Sequence, residues 1–286
     1  MQILITGSNG QLGNALRDIS PDYKDYHFLF TDIDELDVTS EEAVNKYFKQ
    51  HSIDCLINCT GYTAVDQAEN DVAAANQLNV RAVGFLADAA AKAGAIMIHI
   101  STDYVFDGKN HRPYKETDKP NPLSAYGKSK LNGEIELIFN PGRNIIFRTS
   151  WLYSSHGHNF VKAILNKAKD GSELRVVFDQ IGTPTFADDL AKAILEIIPR
   201  LPKKFRSVIY NYSNEGVASW YDFAQAIIDI QGLTNDVAPI LSREYKTAAA
   251  RPFYSVLDKT RFRQDFGLKI PHWQDGLRRC MEKMVG

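Results

Sequence analysis

The chain has 286 residues, 44% hydrophobic and 24% charged, with 33 basic against 35 acidic side chains and a formal net charge of −2. A chain of that length buries a sizeable core without disulfides, and the composition is that of a soluble globular protein. A disordered, collagenous or fibrous chain is excluded, and the charge balance gives no footprint for nucleic acid.

Taken in order, the first 150 residues alternate between two periods. Residues 2–6 form a short apolar run that reads as a strand, with no cationic flank or cleavage site, so no signal peptide is expected. A glycine turn follows, then a helix over 11–19. Further strands are predicted at 27–31, 54–59, 96–100 and 144–148, with helices at 41–51, about 72–93 and about 125–139. The long helix carries Leu78, Ala82, Leu86 and Ala90 on one face and stops at Gly94. Near-continuous apolar strands such as Ile96-Met97-Ile98-His99-Ile100, alternating with helices, imply βαβ units and a parallel sheet covered on both faces. Cys55 and Cys59 lie roughly 13 Å apart along the third strand, beyond the about 7 Å that a bridge spans. With Cys280 they are expected as free, buried thiols in a reducing cytoplasm. Residues 107–122 are polar and carry Pro113, Pro120 and Pro122, which marks a long, functional loop ahead of the helix near Tyr126.

After Trp151 the pattern is less regular. A helix is expected over about 159–169, a strand at 174–178, a helix over about 186–198 and a strand at 208–212. Ser219 with Asp222 three residues on opens another helix, and Pro271 suits the first turn of a last one through Trp273, Leu277 and Met281. There is no internal repeat, and no apolar run approaches the roughly 20 residues of a membrane span. The expected fold class is α/β, a Rossmann-like doubly wound parallel sheet with a smaller C-terminal substrate-binding region. Residues 1–150 would form the dinucleotide-binding domain, with returning elements within 159–213, and residues 151–286 would mainly hold substrate.

The glycine turn is Gly7-Ser8-Asn9-Gly10-Gln11-Leu12-Gly13, spaced G-x-x-G-x-x-G. Such a turn lets backbone approach a pyrophosphate and aims free N–H groups of a helix N-terminus at it. Glycines at a strand–helix turn also simply relieve strain. Here the turn follows the first strand, and Asp32 closes the second, where a carboxylate accepts a hydrogen bond from a ribose hydroxyl.

Tyr126 and Lys130 stand four apart, on one face of a helix. A Tyr–Lys pair at that spacing arises by chance about once in a chain of this composition. Position singles this one out, because the fourth strand ends just before it in Ser101-Thr102-Asp103-Tyr104. Ligands bind outside the carboxyl ends of strands in open α/β sheets. A hydroxyl, a phenol and an ammonium would meet there, the ammonium lowering the phenol's pKa towards the working pH.

These motifs resemble the extended short-chain dehydrogenase/reductase family. Within it, the chain is similar to the dTDP-4-dehydrorhamnose reductases in Ala64-Val65-Asp66-Gln67-Ala68-Glu69, Ser101 to Gly108, Arg148-Thr149-Ser150-Trp151, Asn159-Phe160, Asp179 to Thr185 and Arg251-Pro252. The resemblance implies reduction, by NADPH or NADH, of the C4 ketone of dTDP-6-deoxy-L-lyxo-4-hexulose, the last step of dTDP-L-rhamnose synthesis. It further implies that Gly10, Gln11 and Leu12 cradle the pyrophosphate, with Gly7 and Gly13 also on the cofactor, and that Asp32, Asp37 and Val38 surround the adenosine. Gly61, Tyr62 and Thr63 would border the nicotinamide ribose, Thr102 and Asp103 face the sugar, Tyr126 donate the proton, Lys130 grip the ribose and Trp151 line the sugar pocket.

Two departures stand out. Cys59-Thr60-Gly61 replaces a run of alanines, and Ala15 stands where some members carry a metal-binding glutamate at a dimer interface. No metal is therefore expected, and a monomer or weak homodimer is. His156 and His158 flank Gly157 in a polar stretch and read as solvated or substrate-near rather than as ligands. Two rivals remain at this level. One is a sugar-nucleotide dehydratase or epimerase, against which Tyr104 takes the place of a second acid after Asp103. The other is a non-catalytic regulatory subunit resembling methionine adenosyltransferase β, against which Thr102, Tyr126 and Lys130 are all present.

Overall fold

The computed structural model describes residues 1–285. Strands β1 (Gln2–Thr6), β2 (His27–Thr31), β3 (Cys55–Asn58), β4 (Ile96–Thr102) and β5 (Arg143–Thr149) join a strand Val208–Asn211 in one sheet. Its order is 208–211, β5, β4, β3, β1, β2, and every pairing is parallel. This is the doubly wound arrangement that the alternation predicts. The order reverses between β1 and β3, so a crevice opens beyond their carboxyl ends.

Side-chain alternation fills both faces. Ile3, Ile5, Ile57, Ile98 and Phe147 point to one side, into a core completed by helix α1 (Gln11–Ile19) and the helix Ala187–Ile197. Leu4, Leu56, Met97 and Ile146 point to the other, against α2 (Glu41–Gln50) and two later helices, α4 (Ala82–Ala93) and α5 (Ala125–Phe139). A third core, around Tyr153, Phe223, Trp273 and Leu277, belongs to the C-terminal region. There the helices Phe160–Lys169, Trp220–Ile230 and Trp273–Val285 gather beside a parallel strand pair, Leu174–Val177 with Val237–Ile240. Among the described residues no helix is long and apolar enough to cross a membrane.

Local expectations meet mixed outcomes. The Ser219–Asp222 pair forms a full capping box, with Asp222 N donating to Ser219 Oγ at 3.0 Å and Ser219 N to Asp222 Oδ2 at 2.8 Å. Pro271 is not in the last helix but two residues ahead of it. Its carbonyl accepts from Glu215 N at 2.8 Å and Asn214 Nδ2 at 3.1 Å, which holds the chain extended there. The three cysteines are free, with Cys55 and Cys280 buried and Cys59 just past the end of β3. The single helix expected over about 72–93 is broken into α3 (Val72–Asn76), a π turn Gln77–Arg81 and α4. The wider turn carries Asn79, whose wholly buried amide is committed elsewhere, as described below. The loop after β4 is pinned to the C-terminal region, with Tyr114 N donating to Val256 O and Asp258 N to Tyr114 O, both at 2.8 Å.

A buried ion pair ties α5 to the sheet. Arg148 Nε donates to Glu134 Oε1 at 2.9 Å and Arg148 Nη2 to Glu134 Oε2 at 2.6 Å, with the side chains 2% and 0% exposed. Removing one partner strands the other charge out of water. Arg148→Leu should therefore lower unfolding free energy by about 3–5 kcal/mol in urea titrations. A loss under about 1 kcal/mol would contradict the tie.

Candidate active site

At the end of β1 the backbone turns through Gly7 at φ +65°, a conformation that suits glycine. A Cβ there would lie 2.8 Å from Thr60 N, so β1 and the segment after β3 touch backbone to backbone. A Cβ on Gly13 would fall 2.5 Å from Ser8 Cα, so only glycine lets α1 start this close to the turn. Gly10 is the N-cap and offers no side chain to the first-turn amides. Leu12 is buried in the core through its side chain, and its N–H, in the first turn of α1, has no partner within the helix. Gln11 reaches out of the turn, its Oε1 accepting from Asn159 Nδ2 at 3.1 Å.

Asp32, just past β2, lies against this turn, its Oδ2 accepting from Asn9 N at 3.0 Å. Asp37 uses Oδ1 on Thr39 N and Oγ1, at 2.9 and 2.7 Å, and Val38 is buried beside it. A glycine turn packed backbone to backbone, uncapped first-turn amides and an acid beside them fit the pyrophosphate and ribose of a dinucleotide.

The ends of β3 and β4 meet α5 at the opposite side of the crevice. Ser124 caps α5, accepting from Gly127 N at 3.1 Å, and Glu69 Oε1 accepts from Ala125 N at 2.8 Å. A Cβ on Gly127 would sit 2.3 Å from Tyr104 O, so this glycine lets the helix press on the end of β4. Tyr126 then packs edge-on to Tyr104, with ring centroids 5.6 Å apart. Thr102 ends β4, its Oγ1 donating to Asp103 Oδ1 at 3.1 Å. Thr102, Asp103, Tyr126 and Lys130 are all buried. Gly61 approaches the same point, its Cβ position 3.7 Å from Lys130 Nζ. Tyr62 follows, and Thr63 is exposed beyond it.

Burial governs the titration of these groups. It pushes the Tyr126 phenol up to about 12, and the Thr102 hydroxyl draws it back. It pulls the Lys130 ammonium down to about 8, opposed by the Glu134 carboxylate. The expected lowering of the phenol by the ammonium is therefore not what this structure holds. Lys130 Nζ is turned to Ile100 O at 2.6 Å and His99 Nε2 at 3.3 Å instead. Burial also raises Asp103 to about 6, and its Oδ2 has no partner among the described residues.

Trp151 has φ +48°, alone among the described non-glycine residues in that region. Its ring stacks on Trp220 with centroids 3.6 Å apart, and a Cβ on Gly182 would come within 2.6 Å of it. Next to the stack lies a cavity of about 350 Å³ whose wall includes Tyr104, Phe160, Arg175, Gln180, Trp220 and Arg251. Arg251 also grips Asp66, Nη2 to Oδ2 at 2.7 Å and Nη1 to Oδ1 at 3.1 Å, so the cavity wall is tied to the segment after β3.

Several of these groups escape a reading by motif. Asn79 Oδ1 accepts from Tyr62 N at 2.9 Å, while its Nδ2 donates to Tyr62 O at 3.1 Å and Ser129 Oγ at 2.9 Å. It thus fixes the Gly61–Tyr62 segment against α5, and π turns recur at such sites. Asn58 and His99 carried a visible signal, as polar residues within otherwise apolar strands. Arg175 and Trp220 carried none. His156 pairs with Asp18 at 2.6 Å, His158 is exposed, and Ala15 is wholly buried.

Residues 1–285 match the family described as RmlD substrate binding domain. The chain is 41% identical over 285 residues to a dTDP-4-dehydrorhamnose reductase of Aggregatibacter actinomycetemcomitans, covering 97% of each chain. It is similar in structure to a dTDP-4-dehydrorhamnose reductase of Clostridium acetobutylicum, with a TM-score of 0.95, 39% identity and full coverage of both chains. The same enzyme of Bacillus anthracis, solved in complex with NADP, gives a TM-score of 0.94 at 35% identity and 99% coverage of both.

Gly10→Asp would place a carboxylate over the first-turn amides, where it competes with a pyrophosphate and repels it. The fold should survive, since Gly10 has an ordinary φ of −74°. Calorimetry should show NADPH affinity falling by about tenfold or more. Unchanged affinity would move the dinucleotide elsewhere.

Proposed function

The chain belongs to the RmlD substrate-binding-domain family, that of the dTDP-4-dehydrorhamnose reductases, and from that premise we propose what each part of the crevice does. The reaction is reduction of the C4 ketone of dTDP-4-dehydro-L-rhamnose to dTDP-L-rhamnose. NADPH or NADH, when bound, supplies the hydride. The observation that carries the assignment to this chain's residues is the joint burial of Thr102, Tyr126 and Lys130 where β4 meets α5.

Residues 1–150, with returning elements within 159–213, hold the dinucleotide, and residues 151–286 mainly hold the sugar nucleotide. The amides of Gly10, Gln11 and Leu12 take the pyrophosphate, flanked by Gly7 and Gly13. Asp32, Asp37 and Val38 border the adenosine, and Gly61, Tyr62, Thr63 and Lys130 the nicotinamide ribose. In the cavity, Phe160 and Trp220 offer flat apolar surface to a base, and Arg175 and Arg251 offer charge to a diphosphate. Trp151 lines the way to the sugar, and the unpaired Asp103 Oδ2 accepts from a sugar hydroxyl.

Tyr126 acts as general acid. A phenol raised to about 12 stays protonated at neutral pH, so the proton is in place to be given to the ketone oxygen. The Thr102 hydroxyl, turned from Asp103 Oδ1 to the ketone, steadies that oxygen as charge develops on it. We propose further that the enzyme works in the cytoplasm, as a monomer or weak homodimer, without a divalent metal. Ala15 supports the last point, because a wholly buried methyl replaces the carboxylate that would ligate one.

The test is cofactor oxidation with the keto-sugar nucleotide, run in EDTA. Turnover that needs added Mg²⁺ would contradict the Ala15 argument. Tyr126→Phe keeps the ring and removes only the hydroxyl, and with it the proton donor, so kcat should fall about 10²–10⁴-fold while cofactor binding holds. Lys130→Met should lower cofactor affinity too, and the double variant should be non-additive. More than about a tenth of the parent kcat left in Tyr126→Phe would give the proton to another donor.

A further inference from the structure

A chain of buried polar groups runs beneath the crevice, from β1 to Lys130, and of its members the proposed reaction uses Lys130 alone. Asn58 Oδ1 accepts from Thr6 Oγ1 at 2.9 Å and from Thr60 N at 3.0 Å. Asn58 Nδ2 faces His99 Nδ1 at 3.1 Å. On the far side of the ring, His99 Nε2 faces Lys130 Nζ at 3.3 Å. His99, Asn58 and Thr6 are all wholly or almost wholly buried.

Donor–acceptor logic fixes the protons. The backbone N–H of Thr60 can only donate, so the Asn58 amide must turn its oxygen that way and its NH₂ to the imidazole. His99 Nδ1 is then an acceptor and carries no proton. Burial and the neighbouring Lys130 charge hold the His99 ring well below its ordinary value, so it is neutral. A neutral ring with a bare Nδ1 has its proton on Nε2. That N–H points at Lys130 Nζ. An ammonium has three donors and no acceptor, so two donors would oppose each other there, whereas a neutral amine accepts the bond through its lone pair. A hydrogen bond available only to the neutral form disfavours the charged one.

We propose that His99 is a positioning residue for the reduction: its Nε2–H, aimed at Lys130 Nζ, weakens the lysine's hold on its proton and sets the high-pH limit of turnover. This rests on the reading of Lys130 as part of the active site. The other groups around Lys130 are few. Glu134, one turn along α5, favours the ammonium, but Arg148 from β5 already pairs with it. Tyr126, one turn back, is an uncharged phenol at neutral pH. From the segment after β3 the neighbour is Gly61, and from β4 the carbonyl of Ile100. His99 is therefore the neighbour whose removal should show most cleanly.

The first measurement is ¹⁵N NMR of histidine-labelled protein, with and without NADPH. His99 should show a protonated Nε2 and an unprotonated, hydrogen-bonded Nδ1, unchanged from pH 6 to 9. The opposite tautomer, or a charged ring at neutral pH, overturns the proposal. That reading does not depend on turnover, so it stands apart from a failure of the reductase assignment, which absence of keto-sugar reduction would reveal. The second measurement is the pH profile of kcat for His99→Gln. A glutamine can turn its oxygen to the ammonium and accept from it. The alkaline fall in kcat should then move up by at least about half a pH unit, about threefold in proton affinity, with the keto-sugar KM little changed. A uniform loss with no shift would make His99 a packing residue only. If His99→Gln does not fold, the tautomer in the parent protein decides.

Discussion

Glu134 is wholly buried, and its partner there is Arg148. Their bidentate contact crosses from α5 to β5, and Ser101 Oγ closes on Glu134 Oε1 at 2.5 Å from the end of β4. Three elements are thereby held at one height. Glu134 stands one turn after Lys130, which stands one turn after Tyr126, and Ser101 adjoins Thr102. The pair thus sets how far α5 slides along β4, and with it which side chains face Thr102. Arg148 continues outwards, donating from Nη1 to Glu116 O at 3.3 Å and lying over Phe106 at 5.1 Å. Glu116 in turn accepts from Asn211 N at 2.9 Å, so the long loop and the outer strand share the same anchor. Such a pair contributes modest net stability against a hydrophobic substitute, because both ions lose their hydration. Its value here lies in register.

Around that anchor, close backbone approach does the rest. Gly7 against Thr60, Gly127 against Tyr104 and Gly133 against Asn79 O are contacts that a single methyl group would prevent. They bring the ends of β1, β3 and β4 and the start of α5 to one crevice, at the point where the strand order reverses. The C-terminal region is then joined to it by side chains. Gln11 reaches from the glycine turn to Asn159, and Asp66 reaches from the segment after β3 to Arg251.

Much of this was legible in the residues. The period-two and period-3.6 runs located all five N-terminal strands, and the glycine spacing located the turn. The Tyr126–Lys130 pair gained meaning from its place after β4 rather than from its own spacing. What escaped was long-range. The π turn at Asn79 lies within a continuous helical pattern, and the Tyr62 backbone that Asn79 holds is 17 residues away. Arg175 and Trp220 looked like ordinary surface and helix residues until folding brought them to one cavity wall. The phenol's raised pKa also ran against a motif-level argument, since a Tyr–Lys spacing says nothing of where the ammonium's hydrogen bonds go. Lys130 gives its hydrogen to Ile100 O, and only the fold reveals it.

The step on which the proposed function turns is a hydride arriving at the sugar's C4 within this crevice while Tyr126 supplies the proton. Mass and NMR analysis of the product from dTDP-4-dehydro-L-rhamnose and NADPH deuterated at the transferable position of the nicotinamide tests it directly. The expected result is one deuterium per product, bonded to C4 of dTDP-L-rhamnose, with one cofactor oxidised per sugar. Product without deuterium at C4, or conversion with no net cofactor oxidation, would contradict it.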